Sequence, residues 1–155
     1  NSTTKVSLSS FSNCGDKEDI TNENGTLIVV DCGFPIDRIP FQVTVESCSA
    51  YYCSSAVFAC TLNLDCINNT IIGCCKNTIK ALSYTENERY RIIKNHFSDG
   101  SSGCILNFYG IYPPSKQPII EDNVFENIKL GIGSSEDITP EYNTIYETQS
   151  LIILF

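Results

Sequence analysis

Apolar positions in this chain come in short alternating bursts, never in long runs. Val6, Leu8 and Phe11 alternate with small polar residues, and Phe41-Gln42-Val43-Thr44-Val45-Glu46 and Thr78-Ile79-Lys80-Ala81-Leu82-Ser83-Tyr84 alternate again. Alternation with period two is the signature of a strand with one buried face. Further strands are predicted at Leu27–Val30, Ala56–Cys60, Cys66–Ile67, Tyr90–Ile93, Cys104–Tyr109 and Ile128–Ile132. The bursts are three to five residues long and recur at steps of about eight, with turn residues between them. Residues 82–97 alone offer a helix, a weak one because Thr85, Tyr90, Ile92 and Ile93 are poor helix formers.

A phrase recurs over this pattern. It reads Asn69-Thr70-Ile71, Asn95-His96-Phe97, Asn123-Val124-Phe125 and Asn143-Thr144-Ile145. The four asparagines lie 26, 28 and 20 residues apart. Self-similarity near that period is the mark of stacked units that bury their apolar faces against one another. Three short strands per period make one triangular coil. About six coils are expected, near Phe11, Cys48, Ile71, Phe97, Phe125 and Ile145. The two earliest lack the asparagine.

The phrase has a physical reading. Strands one coil apart pair in register, so Ile71, Phe97, Phe125 and Ile145 should form an inward ladder. Asn69, Asn95, Asn123 and Asn143 should occupy the bend, in the left-handed conformation that asparagine tolerates, with amides stacked along the axis. A β-sandwich also has short strands at this spacing, but it leaves the recurring phrase unexplained.

This arrangement, most evident from Phe41 to Phe155, resembles the right-handed parallel β-helix of pectate-lyase-like proteins and of polymorphic outer-membrane-type surface repeats. The resemblance implies an all-β single domain over 1–155, read as a segment of a longer chain, with loop insertions at 15–40 and 108–118. It implies a structural or adhesive surface role, or activity on polysaccharide. Leu151-Ile152-Ile153-Leu154-Phe155 is an apolar end without a polar cap. We therefore expect this edge to continue into further repeats or to dock onto a partner, with filament or coat stacking as one form.

Composition narrows the setting. The formal net charge of -8 argues against nucleic acid and anionic membrane as partners. No apolar run approaches the roughly 18 residues that cross a bilayer. Nine cysteines occur, at Cys14, Cys32, Cys48, Cys53, Cys60, Cys66, Cys74, Cys75 and Cys104. All are disulfide candidates, and an odd count leaves one thiol free or paired outside the segment. Small unpaired hydrophobes in a stacked core are the competing reading. Sequons begin at Asn1, Asn24 and Asn68. Cysteines and sequons together favour an extracellular or cell-surface setting.

Candidate chemistry is thin. His96 is the one histidine, and it is expected to point outward. The Cys48, Cys53, Cys60, Cys66 spacing matches no common zinc pattern, so no metal or cofactor is implied. Glycoside hydrolysis needs two carboxyls at a set separation. Asp99 and Asp122, on adjacent coils near one bend and with Lys94 close by, form the best catalytic candidate, although solvated turn acids explain them too. Tyr51-Tyr52 and the Phe108–Tyr112 cluster could contact carbohydrate or protein, or pack under a loop. The expectation is a non-enzymatic structural or adhesive module. Its partners would be other subunits or flanking repeats, and carbohydrate is a further candidate.

Overall fold

The computed structural model describes residues 3–12, 26–31, 42–53, 55–60, 63–73, 78–83, 89–100, 104–110, 117–134 and 138–154. The described residues form seventeen short strands. They are β1 (Thr3–Ser7), β2 (Ser10–Ser12), β3 (Thr26–Asp31), β4 (Gln42–Glu46), β5 (Ser49–Tyr51), β6 (Ser55–Cys60), β7 (Asn63–Ile67), β8 (Thr70–Ile72) and β9 (Ile79–Ser83), followed by β10 (Tyr90–Ile93), β11 (His96–Ser98), β12 (Cys104–Gly110), β13 (Ile119–Glu121), β14 (Val124–Glu126), β15 (Leu130–Ser134), β16 (Thr144–Tyr146) and β17 (Ser150–Leu154). Among the described residues there is no helix. The stretch 82–97, where a weak helix was expected, carries the end of β9, then β10 and the start of β11. Tyr90, Ile92 and Phe97 are buried there, so the demand for an inward apolar row at period two overrides the marginal helical propensity.

The strands belong to three sheets, ordered β1-β4-β7-β10-β13, β2-β5-β8-β11-β14-β16 and β3-β6-β9-β12-β15-β17. Through β15, consecutive strands visit the three sheets in turn, and each strand from β4 on pairs in parallel with the strand three places earlier; β16 and β17 then pair with β14 and β15. We call each set of three a tier. The sixth tier completes its first side with a single parallel bridge between Glu121 and Glu141.

Register turns each tier's apolar residues into vertical columns. One column runs Val6, Val45, Cys66, Ile92, Ile120. A second runs Phe11, Ala50, Ile71, Phe97, Phe125, Ile145. A third runs Ile28, Val57, Ile79, Leu106, Ile132, Ile152. The middle of each column is closed from solvent. Cys66, Ile92, Phe97, Phe125, Ile79, Leu106 and Ile132 are all fully buried. Each such side chain contributes roughly 1.5–3 kcal/mol by leaving water.

Two register details depart from expectation. Ala50, not Cys48, stands in the Phe/Ile column of the second tier. Cys48 takes the asparagine's place, with its backbone N–H on Asn69 Oδ1 at 2.9 Å. Leu8 lies beyond the end of β1 with a left-handed backbone and 86% exposure, so it does not continue the alternation from Val6. Within the expected insertions, 26–31 is strand β3 and β12 continues to Gly110. Residues 15–25, 32–40 and 111–116 lie outside the described residues.

Candidate functional site

The corner between the first and second sheets is built around the asparagines. Asn69 donates from its backbone N and from Nδ2 to Asn95 Oδ1, both at 2.9 Å. Asn95 does the same to Asn123 Oδ1 at 2.9 and 3.0 Å, and Asn123 to Asn143 Oδ1 at 2.9 and 3.0 Å. The second Nδ2 hydrogen reaches back to a main-chain carbonyl: Val45 for Asn69, Cys66 for Asn95, Ile92 for Asn123 and Ile120 for Asn143. Asn69, Asn95 and Asn123 are buried, and this network satisfies their amides where water does not reach.

The asparagines themselves do not take the left-handed conformation. It falls on the residue just before each: Asn68, Lys94, Asp122 and Tyr142, and likewise Ser47 and Leu8 in the earlier tiers. That residue faces solvent and turns the chain, and the asparagine is thereby aimed inward.

A second left-handed row marks the corner between the second and third sheets. It comprises Tyr52, Gly73, Asp99, Asn127 and Glu147. Asp99 therefore sits on a different corner from Asp122 and Lys94. Asn95 to Ser98 lie between Lys94 and Asp99, an extended span of up to roughly 16 Å between the two corners. Adjacent acids at one bend were expected, and the tier geometry keeps them apart. Lys94 and Asp122 do share a corner on adjacent tiers, where Lys94 N donates to Glu121 O at 3.1 Å.

Beside Asp99 an open groove of about 620 Å³ is lined by Ser98, Asp99, Glu126, Asn127, Ile145, Tyr146 and Glu147. Its carboxylates are largely engaged within the protein. Asp99 accepts from Asn127 Nδ2 at 2.7 Å and from Ser98 Oγ at 3.2 Å. Glu126 lies 3.0 Å from His96 Nε2, on the outer face of the second sheet. Sequence reasoning did not single out Ser98, Glu126, Asn127, Tyr146 or Glu147 for this groove. A signal for them exists: counted from each column asparagine, Ser98, Glu126 and Tyr146 stand at one common offset and Asp99, Asn127 and Glu147 at the next. Among the described residues no group of three or more His, Cys, Asp or Glu is placed to hold a metal ion.

The cysteines supply core volume. Cys48 and Cys66 are buried free thiols, not members of disulfides. Cys48 Sγ donates to Glu46 O at 3.4 Å, and Asn69 Nδ2 approaches Cys66 Sγ at 3.2 Å. Each fills the interior as a small hydrophobe and meets a polar neighbour of its own corner. Burial pushes the Cys66 thiol up to about 12, although the Asn69 hydrogen bond opposes the shift. A thiol held protonated in this way is a poor nucleophile. Cys53 is buried too, and its Sγ donates to Tyr51 O at 3.4 Å. Cys60 and Cys104 contribute backbone to β6 and β12, and Cys14, Cys32, Cys74 and Cys75 lie outside the described residues.

Of the sequon asparagines, Asn68 is exposed at the first corner and donates from Nδ2 to Ser47 Oγ at 3.1 Å. Asn1 and Asn24 lie outside the described residues. Tyr52 is half-exposed over Gly73, while the side chains of 108–112 are not among those described. No protein-family model, curated protein or solved structure matches this chain.

Proposed function

We propose that the chain is a right-handed parallel β-helix of six coils, serving as a non-enzymatic structural or adhesive module of a secreted or cell-surface protein. The rotation of successive strands through three parallel sheets supports the β-helix. The right hand follows from the near-universal handedness of parallel crossovers. One observation carries the non-enzymatic reading: the charged residues suited to catalysis are the ones that turn the corners. Lys94 and Asp122 are left-handed at one corner and Asp99 at the other, too far apart for a pair of catalytic carboxyls. Partners on this reading are other subunits or flanking repeats, with carbohydrate along the Tyr146 groove as a further candidate. The exposure of Asn68 is compatible with glycosylation during secretion.

The test is incubation with acidic polysaccharides, following reducing ends and unsaturated products. No turnover is expected. Turnover abolished by Asp99→Asn or Asp122→Asn would replace this reading with a polysaccharide-active enzyme. Expression through a secretory pathway tests the setting, because a glycosidase-sensitive mass shift is expected and should fall by one glycan in Asn68→Gln.

A further inference from the structure

The groove beside Asp99 runs along the flank of the stacked tiers. Six of its lining residues are the same two positions on three successive tiers: Ser98 and Asp99, Glu126 and Asn127, Tyr146 and Glu147. The first of each pair faces outward from the second sheet, in register with its neighbours. The second is the left-handed residue of the corner. Ser98 stands in its row between Ile72 and Glu126, and this short, buried side chain leaves the depression between them. Tyr146 walls the groove and is 55% exposed. The volume of about 620 Å³ falls in the range of small-molecule sites, roughly 300–1,000 Å³.

The polar groups of this groove are mostly acceptors. Asp99, Glu126 and Glu147 bring three carboxylates, and no lysine or arginine lines the groove. Asn127 Nδ2 and Ser98 Oγ already donate to Asp99, and His96 reaches Glu126 from the neighbouring row. These bonds orient the carboxylates without saturating them, because an ionised carboxylate accepts at about four lone-pair sites. Glu147 makes no ion pair among the described residues. Two tier steps of about 4.8 Å spread the three carboxylates over roughly 10 Å. A groove that mainly accepts calls for a ligand that mainly donates. Its aromatic wall calls for an apolar ring face on that ligand.

We infer that the groove binds an oligosaccharide carrying free amino groups, of the glucosamine type. Its ammonium and hydroxyl groups donate to Asp99, Glu126 and Glu147, and the apolar face of one ring stacks on Tyr146. A uronate oligomer presents carboxylates to the same acceptors and is repelled. A basic peptide matches the charge, but a lysine chain has no ring face for Tyr146 and no hydroxyls for the acceptors beside it. The net charge of -8 favours the approach of a cationic chain. The inference rests on the adhesive reading above and names the ligand of that module.

The test is calorimetric titration of the purified chain with a glucosamine tetramer, its fully N-acetylated counterpart, a galacturonate tetramer and tetralysine. Weakly acidic, low-salt buffer keeps the amines protonated and the carboxylates ionised. The glucosamine tetramer should bind about tenfold more tightly than the neutral N-acetylated one, and its affinity should fall as salt is added. The galacturonate tetramer should not bind. Tyr146→Ala and Glu147→Gln should each weaken binding about tenfold with unchanged urea midpoints. Asp122→Asn, at the other corner, should leave binding unchanged. No binding of the glucosamine tetramer, equal affinity for its N-acetylated counterpart or for tetralysine, or binding indifferent to both groove substitutions would overturn the inference. None of these outcomes alters the turnover assay on acidic polysaccharides, so the ligand and the non-enzymatic reading fail separately.

Discussion

The side-chain oxygen of Asn95 receives both the backbone and the side-chain N–H of Asn69, each at 2.9 Å. Asn95 is 1% exposed, so no water replaces what that oxygen supplies. In Asn95→Ala the Asn69 backbone N–H loses its acceptor and the Cys66 carbonyl loses a donor, while the Ile93 carbonyl keeps the Asn68 N–H. Each orphaned buried group costs about 1–3 kcal/mol, so the variant should lose about 2–4 kcal/mol. Asn143→Ala removes the same acceptor from Asn123 at the partly exposed end of the column and should cost about 1 kcal/mol. Urea unfolding of the two variants checks the contrast.

The aromatic column predicts a similar gradient. Phe97 and Phe125 stack at a centroid distance of 5.3 Å with their planes 24° apart, and both are fully buried. Phe97→Ala opens a cavity that the parallel strands on either side cannot collapse into, at a cost of about 3–5 kcal/mol. Ile145→Ala, one tier beyond Phe125, removes atoms already partly in water, at 44% exposure, and should cost only about 1 kcal/mol. Equal losses at the two positions in thermal or chemical unfolding would contradict the column as described.

The columns were readable in the sequence because they depend on side-chain chemistry. Asn-x-Phe and Asn-x-Ile recur since the last four tiers each place an interior amide and an apolar neighbour two residues on. The left-handed corner was not readable. Asn68, Lys94, Asp122 and Tyr142 have no side-chain type in common, because the position asks for a backbone dihedral and leaves the side chain to solvent. The second tier was misregistered for a related reason. Cys48 only has to donate its backbone N–H to Asn69 Oδ1, so no amide is required there and the phrase loses its marker. The pairing of Asp99 with Asp122 failed because distance along the chain ignores which side of the asparagine a residue occupies. One falls before it and one after, and a whole strand lies between those two corners.

Cys66 links stability to alkaline pH. Its thiol would ionise near 9.0 without the protein environment and is pushed up to about 12 by burial. The folded state therefore holds a proton that the unfolded chain releases in this interval. The stability is complete below pH 9 and falls as pH rises from 9 towards 12, at up to about 1.4 kcal/mol per pH unit from this residue. Tyrosines and lysines also titrate in this range, so the control is Cys66→Ala. That variant should be less stable at neutral pH but should show a shallower alkaline decline in urea midpoints. Parallel declines in the two proteins would remove Cys66 as the cause. In the native state the thiol should resist alkylation until the protein unfolds.

Gly73 tests the second corner. Its φ of +69° is left-handed, and a Cβ built there would lie 2.5 Å from Cδ1 of Tyr52 on the preceding tier. Gly73→Ala therefore meets two separate penalties. The backbone term is about 1–2 kcal/mol for an L side chain in this region. The steric term depends on the Tyr52 ring, which is half-exposed and must swing away from the corner. Removing the ring should remove only the second penalty. In a Tyr52→Ala background, Gly73→Ala should cost the backbone term alone, with a coupling of about 0.5–2 kcal/mol between the two sites. Additive losses across the double-mutant cycle would show that the ring does not bear on Gly73 in solution. Gly73→Asn should be milder in the same background, since asparagine reaches the left-handed region more easily than alanine.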